Sequence, residues 1–143
     1  MTTILILDDN ATLLQMLGLI LRSKGGYQVL EATTEEEAVS RIECYPGGVD
    51  LLVADVCVET GPGRIIASRL AAMCPELRLL FISGYPQDHL VEKGWLQPGD
   101  AFLAKPFTPE RLMHSVNQVL ANAYPAHTMP SGAGRTACAG GAA

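Results

Sequence analysis

The sequence of 143 residues has few aromatic side chains, no long hydrophobic run and no paired cysteine motif. Its longest apolar stretches include 4–7 and 79–82, far short of the ~18 consecutive apolar residues that a membrane-spanning helix needs. Asp8 and Asp9 end the first apolar run and no basic segment precedes it, so a signal peptide is not expected. With aromatics at 6%, the predicted core is mainly aliphatic.

Two further absences limit the cellular compartment in which we expect the protein and the classes of partner that it can bind. The cysteines form no C-x-x-C pair and no spacing typical of a disulfide framework or a zinc site. They are Cys44, Cys57, Cys74 and Cys138. Positive charge is also scarce, because 10 Lys and Arg face 15 Asp and Glu, a net charge of −5. We therefore expect a cytoplasmic protein that does not bind nucleic acid directly or attach to a membrane.

Hydrophobic residues make up 48% of the chain, which is enough for a core of ordinary size. The composition changes near Asn122, since twelve of the twenty residues from Tyr124 to Ala143 are Ala, Gly or Pro. Such a segment buries too little apolar surface to offset the entropy lost on ordering. We predict a folded domain over 1–122 and a flexible tail over 123–143, with a docking tail or the start of a linker as the alternative.

The first 122 residues alternate between short apolar runs and amphipathic helical patterns. Strands are predicted over 3–7, 27–31, 50–54, 77–82 and 101–104. Helices begin after Asn10, at the capping box of Thr34 and Glu37, after 61–63, at Pro86 and at the pair Thr108–Pro109. Because the strands are almost wholly apolar, both faces of a parallel sheet must be covered by helices. The pattern is (βα) repeated five times, a three-layer α/β domain.

Polar side chains occur where four of the predicted strands end. Asp8 and Asp9 follow the first strand, Asp55 the third, Ser83 the fourth and Lys105 the fifth. Ligand sites in open α/β sheets lie beyond the carboxyl ends of the strands, so these side chains are expected to converge on one rim.

Three carboxylates on one rim call for a cation. Two like charges 4 Å apart repel by about 4 kcal/mol at an effective dielectric constant of 20, and one lysine cannot neutralise three acids. Oxygen ligands suit Mg²⁺, which is typically held by one or two carboxylates together with phosphate oxygens. A divalent ion, Lys105 and Ser83 would together accept a phosphoryl group, with Asp55 as the nucleophile.

Four segments resemble the receiver domain of two-component response regulators. They are ILILDDN (4–10), LLVAD (51–55), LLFISGY (79–85) and FLAKPF (102–107). In order and with this spacing they are specific, and the resemblance covers roughly 2–122. It implies a flavodoxin-like fold, CheY-like, with strand order 2-1-3-4-5. It also implies phosphorylation of Asp55, the position matching the phosphoacceptor, by a histidine kinase, a phosphotransfer protein or a small phosphodonor.

The resemblance also implies roles for the other rim residues. Asp8 and Asp9 match the acidic pair that binds Mg²⁺ (or Mn²⁺) together with Asp55, and the backbone carbonyl of Cys57 matches a further metal ligand. Ser83 and Lys105 match the hydroxyl and the lysine that contact the phosphoryl group. The resemblance further implies that Ser83 and Phe102 match the side chains that move when the domain is activated. It also implies that the Lys105–Pro106 peptide is cis.

Such a domain is a switch without a turnover substrate rather than an enzyme, although it catalyses its own phosphorylation and dephosphorylation. Phosphorylation is expected to alter the surface formed by the fourth helix, the fifth strand and the fifth helix, where many relatives form homodimers. The output partner and the cognate kinase are not determined by the sequence. The FISGY segment is similar to receivers that accompany hybrid sensor kinases. Tyr85, with Cys57, is a candidate for setting the lifetime of the aspartyl phosphate.

One departure from the family pattern leaves alternatives open. Glu59 stands where relatives commonly have proline, although Gly63 keeps the usual glycine, so a looser connection after the third strand is expected. A degenerate receiver that binds partners without phosphorylation is the alternative. A haloacid-dehalogenase-like phosphatase is more remote, because the first strand is followed by Asp8-Asp9-Asn10-Ala11-Thr12 and not by a D-x-D-x-[TV] motif.

Overall fold

The computed structural model describes residues 2–45, 48–58 and 61–121. Five parallel strands form one sheet in the order β2-β1-β3-β4-β5. The strands are β1 (Thr3–Leu7), β2 (Gln28–Ala32), β3 (Leu51–Asp55), β4 (Arg78–Ser83) and β5 (Phe102–Ala104). The predicted flavodoxin-like topology is therefore confirmed. The predicted tail at 123–143 lies outside the described residues.

Five helices connect and cover the strands. They are α1 (Ala11–Gly25), α2 (Glu35–Cys44), α3 (Gly63–Met73), α4 (Gln87–Glu92) and α5 (Pro109–Ala121). In the connection from β3 to α3, Cys57–Val58 pairs antiparallel with Gly61–Pro62, a short element that the sequence pattern did not predict. Among the helices described, none is both long enough and apolar enough to span a bilayer.

The core consists of two layers separated by the sheet. Alternate strand residues point to opposite faces, so Leu5 and Leu7 pack with α2 and α3 while Ile4 and Ile6 pack with α1 and α5. These strand side chains are completely buried. The result is the predicted three-layer arrangement, in which the rigid sheet sets the position of every residue at its carboxyl edge.

Helices α1 and α2 begin at the cap residues that the sequence predicts, but in α2 the carboxylate of the capping box contacts a different threonine. The Asn10 side chain accepts hydrogen bonds from the amides of Thr12 and Leu13, and the Thr34 hydroxyl accepts one from the Glu37 amide. The Glu37 carboxylate does not return to Thr34. It accepts both the backbone N–H and the hydroxyl of Thr33, because that residue offers it two donors at once.

The buried apolar stripe of α3 does not reach the end of the helix. Ile66 and Leu70 are buried against the sheet, whereas Met73 is 40% exposed. Met73 is the last residue of α3.

Candidate functional site

Residues from three strand ends meet at the carboxyl edge of the sheet. Asp8 follows β1, Asp55 is the last residue of β3, and Lys105 follows β5. The Lys105 ammonium lies 3.0 Å from Asp55 Oδ2 and 3.7 Å from Asp8 Oδ2. Because β1 and β3 are neighbours in the sheet, a single lysine reaches both carboxylates. Residues separated by 50 positions in the sequence therefore form one cluster.

Asp8 is the most deeply buried member of this cluster. Its side chain is 1% exposed, and its Oδ1 accepts a hydrogen bond of 2.8 Å from the backbone N–H of Asn10. Within the described part of the chain, its Oδ2 has no hydrogen-bond partner. Burial raises the pKa of Asp8; the Asn10 hydrogen bond and the Lys105 charge oppose this rise, and the charges of Asp55 and Asp9 add to it. A buried, negatively charged oxygen without a donor is a favourable ligand for a cation.

Asp9 lies next to this cluster but at the surface, with an exposed side chain. Over the ranges that the structure describes, no three His, Cys, Asp or Glu side chains surround a common point as a complete metal site would require. The donors fit Mg²⁺ rather than a metal that needs a full protein cage, because Mg²⁺ retains several waters and uses one or two carboxylates. The orphaned Oδ2 of Asp8 is the observation that supports this fit.

Ser83 lies at the end of β4, beside this cluster, and its side chain is buried. Its Oγ accepts a hydrogen bond of 3.0 Å from the Tyr85 N–H, and its carbonyl accepts one of 2.8 Å from the Lys105 N–H. A hydroxyl that accepts a bond keeps its own proton for donation to another acceptor. Tyr85 thus contacts Ser83 through its backbone. The residue as a whole is 58% exposed, and its ring lies 5.9 Å from the His89 ring, centroid to centroid.

The segment around Lys105 has the predicted backbone. The Lys105–Pro106 peptide is cis, as the resemblance implied. Phe102, three residues earlier, is half-buried and packs against the core layer on the α2 and α3 side of the sheet. Cys57 follows β3 in the short antiparallel pair, and Glu59 lies outside the described residues.

Gly63 makes a close backbone contact that the sequence pattern does not predict. A Cβ atom at this position would lie 2.1 Å from the carbonyl oxygen of Asp55. The Gly63 N–H donates a hydrogen bond of 2.7 Å to the Val56 carbonyl. The start of α3 therefore rests directly on the backbone of Asp55, and only glycine permits this approach.

The backbone N–H of Asn10 is a contributor to the site that sequence reasoning missed. The sequence pattern predicts Asn10 only as the residue before α1, yet its N–H also fixes the Asp8 carboxylate. The signal was present in the sequence, because an Asp side chain often accepts the N–H of the residue two positions later.

Comparison with known proteins gives consistent matches. The family model "Response regulator receiver domain" matches residues 4–117. The sensor kinase CckA of Brucella abortus (strain 2308) is 32% identical over 122 residues, 83% of this chain and 12% of the kinase. The response regulator SaeR of Staphylococcus aureus (strain USA300) is 23% identical over 91% of this chain and 55% of its own length. The chain thus spans less than two thirds of either relative.

A solved structure agrees with these matches. The crystal structure of the receiver domain from the hybrid histidine kinase CckA is 30% identical, with a TM-score of 0.68. The match covers 82% of this chain and 98% of that domain. The match therefore includes almost the whole of that solved domain.

Proposed function

This chain belongs to the response regulator receiver domain family, and we propose that Asp55 is the residue that accepts the phosphoryl group. Receiver domains are signalling switches of two-component systems, they generally bind Mg²⁺, and their partners are histidine kinases or phosphotransfer proteins. The single observation that carries the proposal is the 3.0 Å contact between Lys105 and Asp55, with the buried Asp8 beside it.

The chemistry proposed for Asp55 is an in-line displacement at phosphorus. A carboxylate oxygen of Asp55 forms a bond to phosphorus while the phosphorus–nitrogen bond of the donor phosphohistidine breaks. The imidazole nitrogen leaves with the electron pair and takes up a proton. The Lys105 ammonium orients the Asp55 carboxylate beforehand and offsets the negative charge that the phosphoryl oxygens bring to the rim.

The metal ligands proposed for this chain are the carboxylates of Asp8, Asp9 and Asp55 and the backbone carbonyl of Cys57. When bound, Mg²⁺ (or Mn²⁺) would neutralise charge on the phosphoryl oxygens. The orphaned Oδ2 of Asp8 supports this assignment, because a dication offsets the cost of burying its charge. The Asn10 N–H holds the other oxygen of Asp8, which fixes the orientation of the carboxylate.

The proposed switch begins at Ser83. Its hydroxyl proton is available for a phosphoryl oxygen, so phosphorylation of Asp55 would draw Ser83 and the segment after it towards the site. Phe102 is proposed to move inwards at the same time. Because Ser83 precedes α4 and Phe102 lies in β5, the surface of α4, β5 and α5 would change with the phosphorylation state.

Three further assignments complete the proposal. We assign the receiver domain to 1–122. The cognate donor would be a histidine kinase or a phosphotransfer protein, and the α4–β5–α5 surface would bind the output partner or a second copy of this chain. The domain itself would have no turnover substrate.

Phosphoryl uptake by the purified chain from a small acyl phosphate tests the proposal. We expect uptake that requires Mg²⁺ and that disappears in Asp55→Asn, because the amide is a far weaker nucleophile than the carboxylate. Asp88→Asn is the matched control, since it makes the same change on the exposed side of α4. Intact-mass measurement reports the adduct. Uptake that persists in Asp55→Asn would place the acceptor elsewhere.

A further inference from the structure

The first turn of α3 is tied to the turn that precedes β5. Arg64, the second residue of α3, forms an ion pair with Asp100, and their side chains are only 25% and 15% exposed. Asp100 Oδ2 also accepts a hydrogen bond of 2.8 Å from the Gln97 N–H, and the Asp100 N–H donates one of 3.0 Å to the Gln97 carbonyl. The carboxylate is therefore held by its own turn as well as by Arg64.

The Arg64 side of the ion pair lies next to the backbone of the proposed phosphoacceptor. Arg64 directly follows Gly63, whose Cα rests on the Asp55 carbonyl and whose N–H bonds the Val56 carbonyl. Because a Cβ atom at Gly63 would lie only 2.1 Å from the Asp55 carbonyl oxygen, the first turn of α3 cannot move closer to the sheet without displacing the backbone of Asp55, and the Gly63 N–H bond to Val56 opposes its movement away. Whatever anchors Arg64 therefore also limits the position of Asp55.

The Asp100 side of the ion pair belongs to the segment between α4 and β5. The turn at 97–100 follows Trp95 and Leu96, whose positions are fixed by a hydrogen bond from the Trp95 N–H to the Leu90 carbonyl and by burial of Leu96 in the core. It leads into β5 through Ala101, whose carbonyl accepts the N–H of Phe81 from β4. Asp100 thus connects α3 to the segment that joins α4 and β5.

We propose that Arg64 and Asp100 are positioning residues for Asp55, and that their ion pair links the phosphoacceptor backbone to the α4–β5 segment by a route separate from Ser83. The pair contacts no reacting atom. It holds the first turn of α3 so that Gly63 keeps the Asp55 carbonyl in place. This inference rests on the proposed function of Asp55.

Two variants and their combination test the link. Asp100→Asn keeps an oxygen for the Gln97 N–H but removes the charge that pairs with Arg64, and Arg64→Gln removes the other partner. Without any ligand, we expect faster hydrogen exchange of the Gly63 amide in Asp100→Asn, although the two residues belong to different segments. The double variant should be no worse than either single variant, because one interaction is lost in all three.

The same variants are then titrated with beryllofluoride, a phosphoryl mimic, in the presence of Mg²⁺. The chain has one tryptophan, Trp95, so its fluorescence reports the α4–β5 segment. We expect each single variant to weaken apparent beryllofluoride affinity about fivefold or more. Arg64→Lys keeps the cation and should recover most of the affinity, which a mere loss of fold stability would not predict.

Arg69→Gln is the matched control, since it breaks an ion pair from the same helix to Glu35 of α2. It should leave both the Gly63 amide and the beryllofluoride affinity unchanged. A lower melting temperature in Asp100→Asn with an unchanged Gly63 amide and unchanged affinity would overturn the proposal, as would additive effects in the double variant. If the native chain does not bind beryllofluoride, the role of Asp55 fails, while exchange of the Gly63 amide still decides whether the link exists.

Discussion

At the scale of single residues, the buried charge of Asp8 lowers the stability of the fold. Its carboxylate is 1% exposed, one of its oxygens has no hydrogen-bond donor among the described residues, and two further acids lie nearby. Burial of a charge without full pairing destabilises a fold. The side chain is tolerated because the Asn10 N–H and the Lys105 ammonium compensate part of this cost.

Asp8→Asn should therefore stabilise the metal-free domain at neutral pH. Removal of a buried, incompletely paired charge is expected to raise the free energy of unfolding on the order of 1 kcal/mol. Denaturant unfolding in a chelator, at pH 7 and at lower pH, measures this difference. Asp88→Asn, on the exposed surface of α4, is the control and should change little.

The sign of the pH dependence follows from the direction of the shift. Burial raises the pKa of Asp8 above its ordinary value of 3.8, so the folded state holds the proton more tightly than the unfolded state does. The cost of the charge is absent below 3.8, grows as the pH rises to the folded pKa, and is constant above it. The advantage of Asp8→Asn should accordingly shrink in acid; an advantage that is equal at all pH values would contradict this account. Added Mg²⁺ should stabilise the native chain but not the variant.

At the scale of elements, the caps show how far a local motif determines a helix start. Thr34 caps α2 as the spacing predicts, but the Glu37 carboxylate bonds Thr33. These hydrogen bonds, first from the Thr33 N–H and then from its hydroxyl, lower the pKa of Glu37. Thr34 is the cap and Thr33 supplies the donors to Glu37, so the sequence predicts the helix start without determining which residue the Glu37 carboxylate contacts.

The start of α3 is determined by a contact with β3 rather than by a cap. Gly63→Ala would place a methyl group 2.1 Å from the Asp55 carbonyl oxygen, where the neighbour is backbone and cannot rotate away. We expect a loss of about 2–3 kcal/mol in the free energy of unfolding and weaker beryllofluoride binding, because the helix and Asp55 must separate.

Gly99→Ala is the comparison for this substitution, since a Cβ there meets nothing within 4 Å. It makes the same chemical change and should leave stability within about 0.5 kcal/mol of the native chain. Thermal or denaturant unfolding of both variants measures the difference. Equal stability of the two would show that α3 can move away from Asp55 at no cost.

At the scale of the whole molecule, the strand order determines which surface can respond to the site. β5 is an edge strand beside β4, and Ser83 and Lys105 lie at the ends of these two neighbours. β2 and α2 lie at the opposite edge of the sheet. A change at Ser83 therefore has a short path to α4, β5 and α5 and a long path to α2.

Beryllofluoride with Mg²⁺ should consequently shift backbone amide resonances mainly over 83–121, and least in α2. Asp55→Asn is the control and should show no such shifts. Sedimentation velocity on the same samples reports whether the ligand also produces a dimer, as expected if the exposed edge of β5 and its flanking helices form the contact. Shifts that concentrate in α2 and β2 would contradict the prediction, because they would place the responsive surface at the edge of the sheet opposite β5.

The local pattern of the sequence by itself predicted the helices and strands and placed the main candidate site residues at strand ends. The span of β1, the caps Asn10 and Thr34, and the placing of Asp55 and Lys105 at strand ends were all predicted. Hydrophobic periodicity, caps and turns act over a few residues, and so they can be read directly from the chain.

Only the tertiary structure decided which of those residues touch. Lys105 reaches both Asp55 and Asp8 because β1, β3 and β5 end at one edge, and Arg64 pairs with Asp100 across 36 positions. Gly63 is needed because α3 lies on the Asp55 carbonyl. Such contacts depend on how whole elements pack against the sheet, and no short stretch of sequence contains that information.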